Sequence, residues 1–422
     1  MRQQRRFAMS RGPAARAGPL DVLVPHAESL GTIAVIRSLG RAGHRVHAAS
    51  TRADALGLLS RYAHRAVVSP PYRDPGYVGW VRAYLRTHRI DAVVPSESFI
   101  LALGAALPEL LPLLPFAPDA RTLRDAMSKY ALFENLLARR APHLPPTLLV
   151  PALERLPSLE ELRRLGAPLY VKVDACSSHD GSPGATHGAS SAEEARALLV
   201  GLRGSYARAV VQGWVPGRGV GAFFLHARGE VLAELMHRRL HEVPYTGGVS
   251  SLRETWHHAA IRDDALEKLR AARWEGVAMM EYRWDPATGR FAFLEMNARF
   301  WGSLHLALHA GVDFPRLLLD AWQGRPVTAP PPRQGVRCRH LPDELRHVWS
   351  KLRAPGLGVG AKLASVVELV ALTLDLRVKS DLWFPGDRGL FWRGLGQLHA
   401  AVKRRLGARD ASGRLAPRPR AA

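Results

Sequence analysis

The stretch from Val277 to Ser303 reads V-A-M-M-E-Y-R-W-D-P-A-T-G-R-F-A-F-L-E-M-N-A-R-F-W-G-S. Two apolar runs, Val277 to Tyr282 and Phe291 to Met296, flank Asp285-Pro286-Ala287-Thr288-Gly289. Strand-like runs on either side of a Pro- and Gly-bearing turn predict a β-hairpin. With the turn centred near Thr288, Glu281 falls opposite Glu295, and Asn297, two residues further on, shares the Glu295 face. Carboxylates that face each other across a strand pair repel unless a cation lies between them. Two carboxylates and an amide, with no Cys or His set close by, suit a hard ion: Mg²⁺ ahead of Zn²⁺, with Mn²⁺ as the alternative. Mg²⁺ held by few protein oxygens completes its shell with water and substrate phosphates, so the stretch points to a nucleotide site. The plainer alternative is a surface hairpin whose Glu residues face solvent.

At 422 residues the chain has room for about two or three domains. Its apolar fraction of 47% is ordinary for a globular protein, but its formal net charge of +22 is not. The basic residues are spread through predicted helices, loops and both ends. A nucleic-acid binder would gather them on one face, so no nucleic-acid partner is expected. Attraction to anionic substrates or to a membrane surface is compatible with the same charge. Cys176 and Cys338 are far apart and outside any C-x-x-C pattern, which fits a reducing cytoplasm and excludes a disulfide framework. Residues 1–18 carry many Arg but no apolar core of signal-peptide length, and read as a disordered basic tail. The run Leu363 to Leu376 contains Glu368 and Asp375 and is too short and too charged to span a bilayer. A soluble, cytoplasmic protein without a transmembrane segment is expected.

From the start, short apolar strands (residues 20–25, 45–49, 66–68 and 92–95) alternate with helical patterns at 31–43 and 77–86. This β-α-β order predicts a small parallel sheet with covering helices, whose ligands gather beyond the C-terminal strand ends. His26 to Ser29 follow one such end, and Ser96, Glu97 and Ser98 another; as loop caps they would be merely polar. Lys129 opens a helix, where a lone Lys is ordinarily solvated. Lys172 is different, because it sits inside the β-patterned run Leu169 to Val173 and a half-buried ammonium needs an anion such as a phosphate or a carboxylate. Ser177 to Gly188 is a Gly- and Ser-rich, donor-rich loop able to approach phosphate. Ser190 is expected to cap the helix 191–200 in an S-x-x-E box with Glu193. Val210-Val211-Gln212-Gly213-Trp214-Val215-Pro216-Gly217 is a strand entering a turn, and 220–226 with 231–237 form a hairpin. Arg238 and Arg239, followed by Thr246-Gly247-Gly248, could clamp a carboxylate or phosphate, although alternation lets at most one of the two Arg reach it. His305 and His309 stand at metal-ligand spacing but lack a third ligand, and are taken as helix-face or substrate-rim residues.

In this order the pieces resemble the ATP-grasp superfamily, specifically the carboxylate–amine ligase, carbamoyl-phosphate-synthase-like branch, over roughly residues 20–330. Ile36 to Val46 and Val94 to Ser98 are similar to the pre-ATP-grasp domain, and the ending E-x-N-x-R at Glu295 to Arg299 to the family's closing motif. The resemblance implies that Lys129 and Lys172 bind the phosphates of ATP. It implies that the hinge strand Gln212 to Gly217, with Trp214 and Val215, meets adenine through its backbone. Glu281, Glu295 and Asn297 would be Mg²⁺ ligands and Arg299 a contact to the transferred phosphate. Arg238 or Arg239 would help hold the substrate carboxylate and its acyl phosphate. The chain departs from the pattern at Gly213, where the family carries Glu, at an irregular flap, and at Ala298, which replaces a common Pro.

The fold class implied is an α/β pre-ATP-grasp domain with a small parallel sheet, then α+β ATP-grasp domains with antiparallel sheets, then a mainly helical C-terminal extension. The expected boundaries are 19–118 and 119–330, the latter with a smaller lid subdomain at about 145–212. The extension spans 331–410, and a disordered tail 411–422. The activity implied is an ATP-dependent ligase that turns a small-molecule carboxylate into an acyl phosphate for attack by an amine, in a single chain or a homodimer. The alternative, carried by Gly213, is a nucleotide-binding or regulatory protein without turnover.

Overall fold

The computed structural model describes residues 18–115, 119–179 and 181–412. The expected N-terminal tail, but for Gly18, and the expected C-terminal tail beyond Ser412 lie outside the described residues. So does Asp180 in the Gly/Ser loop.

Strands Asp21–Val24, Arg45–Ser50, Arg65–Val68 and Ala92–Val93 pair in parallel, in the spatial order third, second, first, fourth. The helix Leu30–Arg41 covers this sheet because Ser29 caps it, its hydroxyl accepting from the Thr32 N–H at 3.2 Å, while Ile33, Val35, Ile36 and Leu39 form one buried apolar face. The strand ends that hold His26 and Ser96-Glu97-Ser98 open toward the rest of the chain. His26 itself has φ of 68°, a left-handed backbone that is uncommon outside glycine.

A four-stranded antiparallel sheet follows, ordered Thr147–Val150, Ala209–Gly213, Leu169–Val173, Ala185–Ala189. Its strands obey period two. Leu169, Val171, Val173, Ala209 and Val211 face a core shared with helix Ala192–Leu202, so Tyr170, Lys172 and Gln212 face the other way. Two expectations shift here. The helix cap lies one residue later, with Ser191 accepting from the Glu194 N–H, while Ser190 is bonded by the Glu194 carboxylate. Part of the Gly/Ser loop is not loop at all, since Ala185–Ala189 pairs along Leu169–Val173.

The third sheet has seven strands, ordered Phe291–Asn297, Gly276–Trp284, Arg218–Ala227, Glu230–Val243, Val249–Thr255, Arg337–Arg339, Lys379–Ser380. The hairpin between 227 and 230 turns through Arg228 and Gly229, both at positive φ, as a two-residue turn of matching twist requires. Alternation buries both faces of the central strands. Val220, Ala222, Phe224, Ala278 and Met280 pack toward helix Ala259–Ala271, and Phe223, Leu225, Val277 and Met279 toward Trp301, Leu304 and Phe314. This α/β sheet followed by antiparallel α+β units is the expected fold class.

The C-terminal extension is helical at Leu341–Leu352, Val359–Leu374 and Gly389–Ser412. Its connecting segment packs back on the core. Arg253 is paired with Asp381, both essentially unexposed, and Arg37 of the first helix reaches Asp387 at 2.9 Å. His305 lies in the same knot, 2.9 Å from the Arg37 guanidinium, and His309 lies 3.3 Å from the Ser380 carbonyl. His305 thus ties its helix to the first helix, and His309 ties the same helix to the C-terminal strand Lys379–Ser380. No helix among the described residues is long and apolar enough to cross a membrane.

Candidate active site

Glu281 and Glu295 are direct cross-strand partners on the hairpin, and Asn297 donates from Nδ2 to Glu295 Oε1 at 3.1 Å. Four cations surround the pair. Arg239 donates to Glu281 at 2.5 Å and to Glu242 at 3.2 Å. The Lys129 ammonium is 3.7 Å from Glu295, and Arg299 donates to the Asn297 side-chain oxygen at 3.2 Å. Lys172 reaches across from the smaller sheet to donate to the Leu294 carbonyl at 3.0 Å. Asp174 fixes the two lysines relative to each other, because it accepts from Ser128 and from the Tyr130 N–H at the start of the Lys129 helix.

Burial decides how these charges behave. It pushes the Glu281 carboxyl above the ordinary range, Arg239 pulling it down and the neighbouring Glu295 adding to the rise. Burial acts the same way on Glu295, but Lys129 and Lys172 outweigh it and hold that carboxyl low. Lys129 is buried too, yet Glu295, Glu97 and Asp174 keep it above the usual lysine value. Lys172 is the exception. Burial, offset incompletely by Glu295 and reinforced by Lys129, pushes it down to about 8. Its strand position leaves the ammonium without a carboxylate in direct contact, so it stands ready for a further anion.

Two cavities meet at this cluster. One, of about 460 Å³, is lined by Tyr170, Lys172, Gln212, Trp214, Val215 and Arg239, together with Glu281 and Glu295. The other, of about 380 Å³, lies against the C-terminal ends of the parallel strands and is lined by His26, Ser96, Glu97, Lys129, Asn297 and Arg299, again with Glu295. The hairpin oxygens thus stand at the junction of both. An oxygen-rich donor set of two carboxylates and one amide, in which burial and the facing Glu295 both raise Glu281, fits a hard divalent cation. No group of three His, Cys, Asp or Glu side chains that could hold a metal ion converges among the described residues, and the hairpin itself offers two carboxylates and an amide.

The residues singled out in the sequence therefore come together, with one exception. Arg238 lies on the other side of its strand, bonded to Glu254 at 2.7 Å, and lines neither cavity. The reason is the strand alternation that sends Arg239 inward. In the hinge, Gly213 and Trp214 donate their N–H groups to the Pro146 and Pro168 carbonyls, and the Gln212 amide donates to Thr147 at 3.2 Å. Gly213 has a packing reason: a Cβ there would press into the Leu165 carbonyl oxygen. Glu97, which the sequence puts after a strand end where ligands gather, also stands at the site, as do Glu242 and Arg283, which the sequence did not single out. For Glu97 the available signal was its place after a parallel strand; for the other two no local signal existed.

Residues 224–344 match the model of a family described as ATP-grasp in the biosynthetic pathway with Ter operon. No curated protein matches the chain. Among solved structures, N5-carboxyaminoimidazole ribonucleotide synthetase in its ADP complex is similar at a TM-score of 0.60 and 15% identity, over 85% of this chain and 98% of that one. The L-amino acid ligase from Bacillus licheniformis is similar at 0.56 and 18% identity, over 73% and 75%. The biotin carboxylase from Campylobacter jejuni is similar at 0.57 and 14%, over 75% and 74%. At these identities the likeness is one of fold.

Proposed function

We propose that this chain, a member of the ATP-grasp superfamily, is an ATP-dependent ligase that activates a substrate carboxylate as an acyl phosphate and joins it to an amine. The observation that supports this most is that Glu295 belongs to both cavities. A nucleotide in the larger one and a carboxylate in the smaller one would then meet at a single carboxylate flanked by Lys129, Lys172 and Asn297.

In this reading ATP lies under the lid of residues 145–212. The Gly213 and Trp214 N–H groups are already used within the lid, so the adenine edge falls to Val215. Lys172 and Lys129 neutralise phosphate oxygens. Glu281, Glu295 and Asn297 hold Mg²⁺, whose chemistry when bound is to spread the charge that develops on the transferred phosphate. A carboxylate oxygen attacks the γ-phosphorus, the bond to the β–γ bridging oxygen breaks, and ADP leaves. The amine nitrogen then attacks the acyl carbon, the C–N bond forms, phosphate departs and the nitrogen loses a proton. Arg299 and Arg239 bracket the junction and stabilise the anionic groups as charge moves. No side-chain nucleophile is needed.

The test is ADP release from Mg²⁺-ATP with pooled carboxylates and amines, beside Glu295→Gln. Release that requires both partners and disappears in the variant is the expected result. ATP binding without release under any pairing would favour the non-turnover alternative, and full release by the variant would overturn the metal assignment.

A further inference from the structure

Resting on the ligase reading, the smaller cavity says something about its carboxylate. Glu97 begins the helix after the fourth parallel strand, and Arg299 follows the hairpin; the sequence separates them widely, yet Arg299 Nε donates to Glu97 Oε2 at 3.2 Å, and both line the cavity. A guanidinium has five N–H donors. Here one serves Glu97, one the Phe300 carbonyl at 3.1 Å and one Asn297 at 3.2 Å, which leaves two for a substrate. A carboxylate arriving on Arg299 beside Lys129 would also arrive beside Glu97. A simple carboxylic acid then sets two anions against each other in a confined site, which selects against it. An acid that carries its own ammonium removes the conflict, since its positive group can sit on Glu97 while its carboxylate takes the free Arg299 donors.

We propose that the cavity between Glu97 and Arg299 is a receptor for an amino acid in zwitterionic form, with Glu97 holding the ammonium and Arg299 the carboxylate that becomes phosphorylated. The orientation matters chemically. An amine kept protonated on Glu97 is not a nucleophile, so this amino acid is the acyl donor and the attacking amine comes from a second molecule. The remaining lining sets the hydroxyls of Ser29, Thr32, Ser96 and Ser98 beside apolar Val35 and Phe300, which suits a small molecule with a short side chain. A cavity of about 380 Å³ holds a molecule of that size.

The experiment measures binding to the full chain with Mg²⁺-ADP present, by ligand-observed NMR. The probes are the common L-amino acids and, for each, the corresponding acid lacking the amino group. The same panel is run with Glu97→Gln and Glu97→Asp, whose folding is checked by thermal unfolding and by ADP affinity. The expected result is that at least one amino acid binds tenfold or more tightly than its des-amino counterpart, that Glu97→Gln abolishes the difference, and that Glu97→Asp retains part of it. Equal binding of the two acid classes, no binding of any amino acid, or a preference that survives Glu97→Gln would each overturn the proposal. ADP release measured in parallel separates the two readings: Glu97-dependent amino acid binding without release leaves this receptor standing and removes the ligase activity.

Discussion

Glu281 and Glu295 face each other as cross-strand partners, yet each is neutralised from a different part of the chain: Arg239, two strands away in the same sheet, bonds Glu281, and Lys129 of a distant helix lies 3.7 Å from Glu295. Burial raises Glu281, the facing Glu295 adds to the rise, and Arg239 relieves it only in part. Glu295→Gln removes the repulsion. It also removes the counter-charge of the buried Lys129 and Lys172, which outweighs that repulsion, so the melting temperature is expected to fall, while substrate-dependent ADP release drops by about a hundredfold or more, as loss of a group acting on the transferred charge does. A calorimetric scan beside a coupled ADP assay reads both.

Lys172 gives the nucleotide affinity a pH dependence. Its ammonium is pushed down to about 8, below the lysine value of 10.5. Bound phosphates favour the protonated form, so binding takes up a proton once the free protein has lost it. ADP affinity should be flat below pH 8 and weaken above it, by up to about tenfold per pH unit. Lys172→Met should bind more weakly at pH 7 and lose this dependence. For stability the sign is the opposite: the unfolded chain holds the proton in the window between about 8 and 10.5, so Lys172 makes folding more favourable as pH rises through it. Titration calorimetry across pH 7 to 9.5 is the check on affinity.

The two adjacent arginines should separate cleanly. Arg239→Ala removes a cation from the junction and should lower turnover by on the order of a hundredfold. Arg238→Ala opens only a pair with Glu254 on the far side of the strand and should leave turnover within about twofold. Steady-state kinetics of both variants decide it; equal losses would contradict the inward position of Arg239.

Gly213→Ala places a Cβ against the Leu165 carbonyl. Backbone must move to admit it, and the expected cost is about 1–3 kcal/mol in denaturant unfolding. Restoring an acidic residue at this hinge position should be worse than alanine.

Arg253→Met leaves Asp381 buried without its main partner in the knot that ties the C-terminal segment to the seven-stranded sheet. A loss of about 3–5 kcal/mol is expected, because an uncompensated buried charge remains. Replacing Asp381 by Leu in the same chain should recover much of it. Urea unfolding of the single and double variants measures the coupling.

How much of this was legible depended on range. The hairpin register was, because period two and a Pro/Gly turn are local, and they put Glu281 opposite Glu295 before any coordinates. The parallel sheet was legible for the same reason. The helix cap at Ser191 was missed by one residue, since two adjacent serines offer the same chemistry and only the backbone geometry selects between them. His305 and His309 at i, i+4 read as helix-face or substrate-rim residues. Their burial depends on Arg37, 268 residues before His305, and on Ser380, 71 residues after His309, which no spacing rule could supply.

By itself, then, the sequence determined most of the elements (though not the strand Ala185–Ala189), the alternation that turns Lys172 and Gln212 from their core, and the oxygen donors of the E-x-N strand, because each follows from side-chain periodicity along a few residues. Only the tertiary structure decided that Arg239 and not Arg238 faces the cluster, that Gly213 answers a carbonyl of the neighbouring helix end, and that Glu97 meets Arg299. Those relations arise where separate units pack together, and charge, volume and register across such a contact are properties of two distant stretches at once.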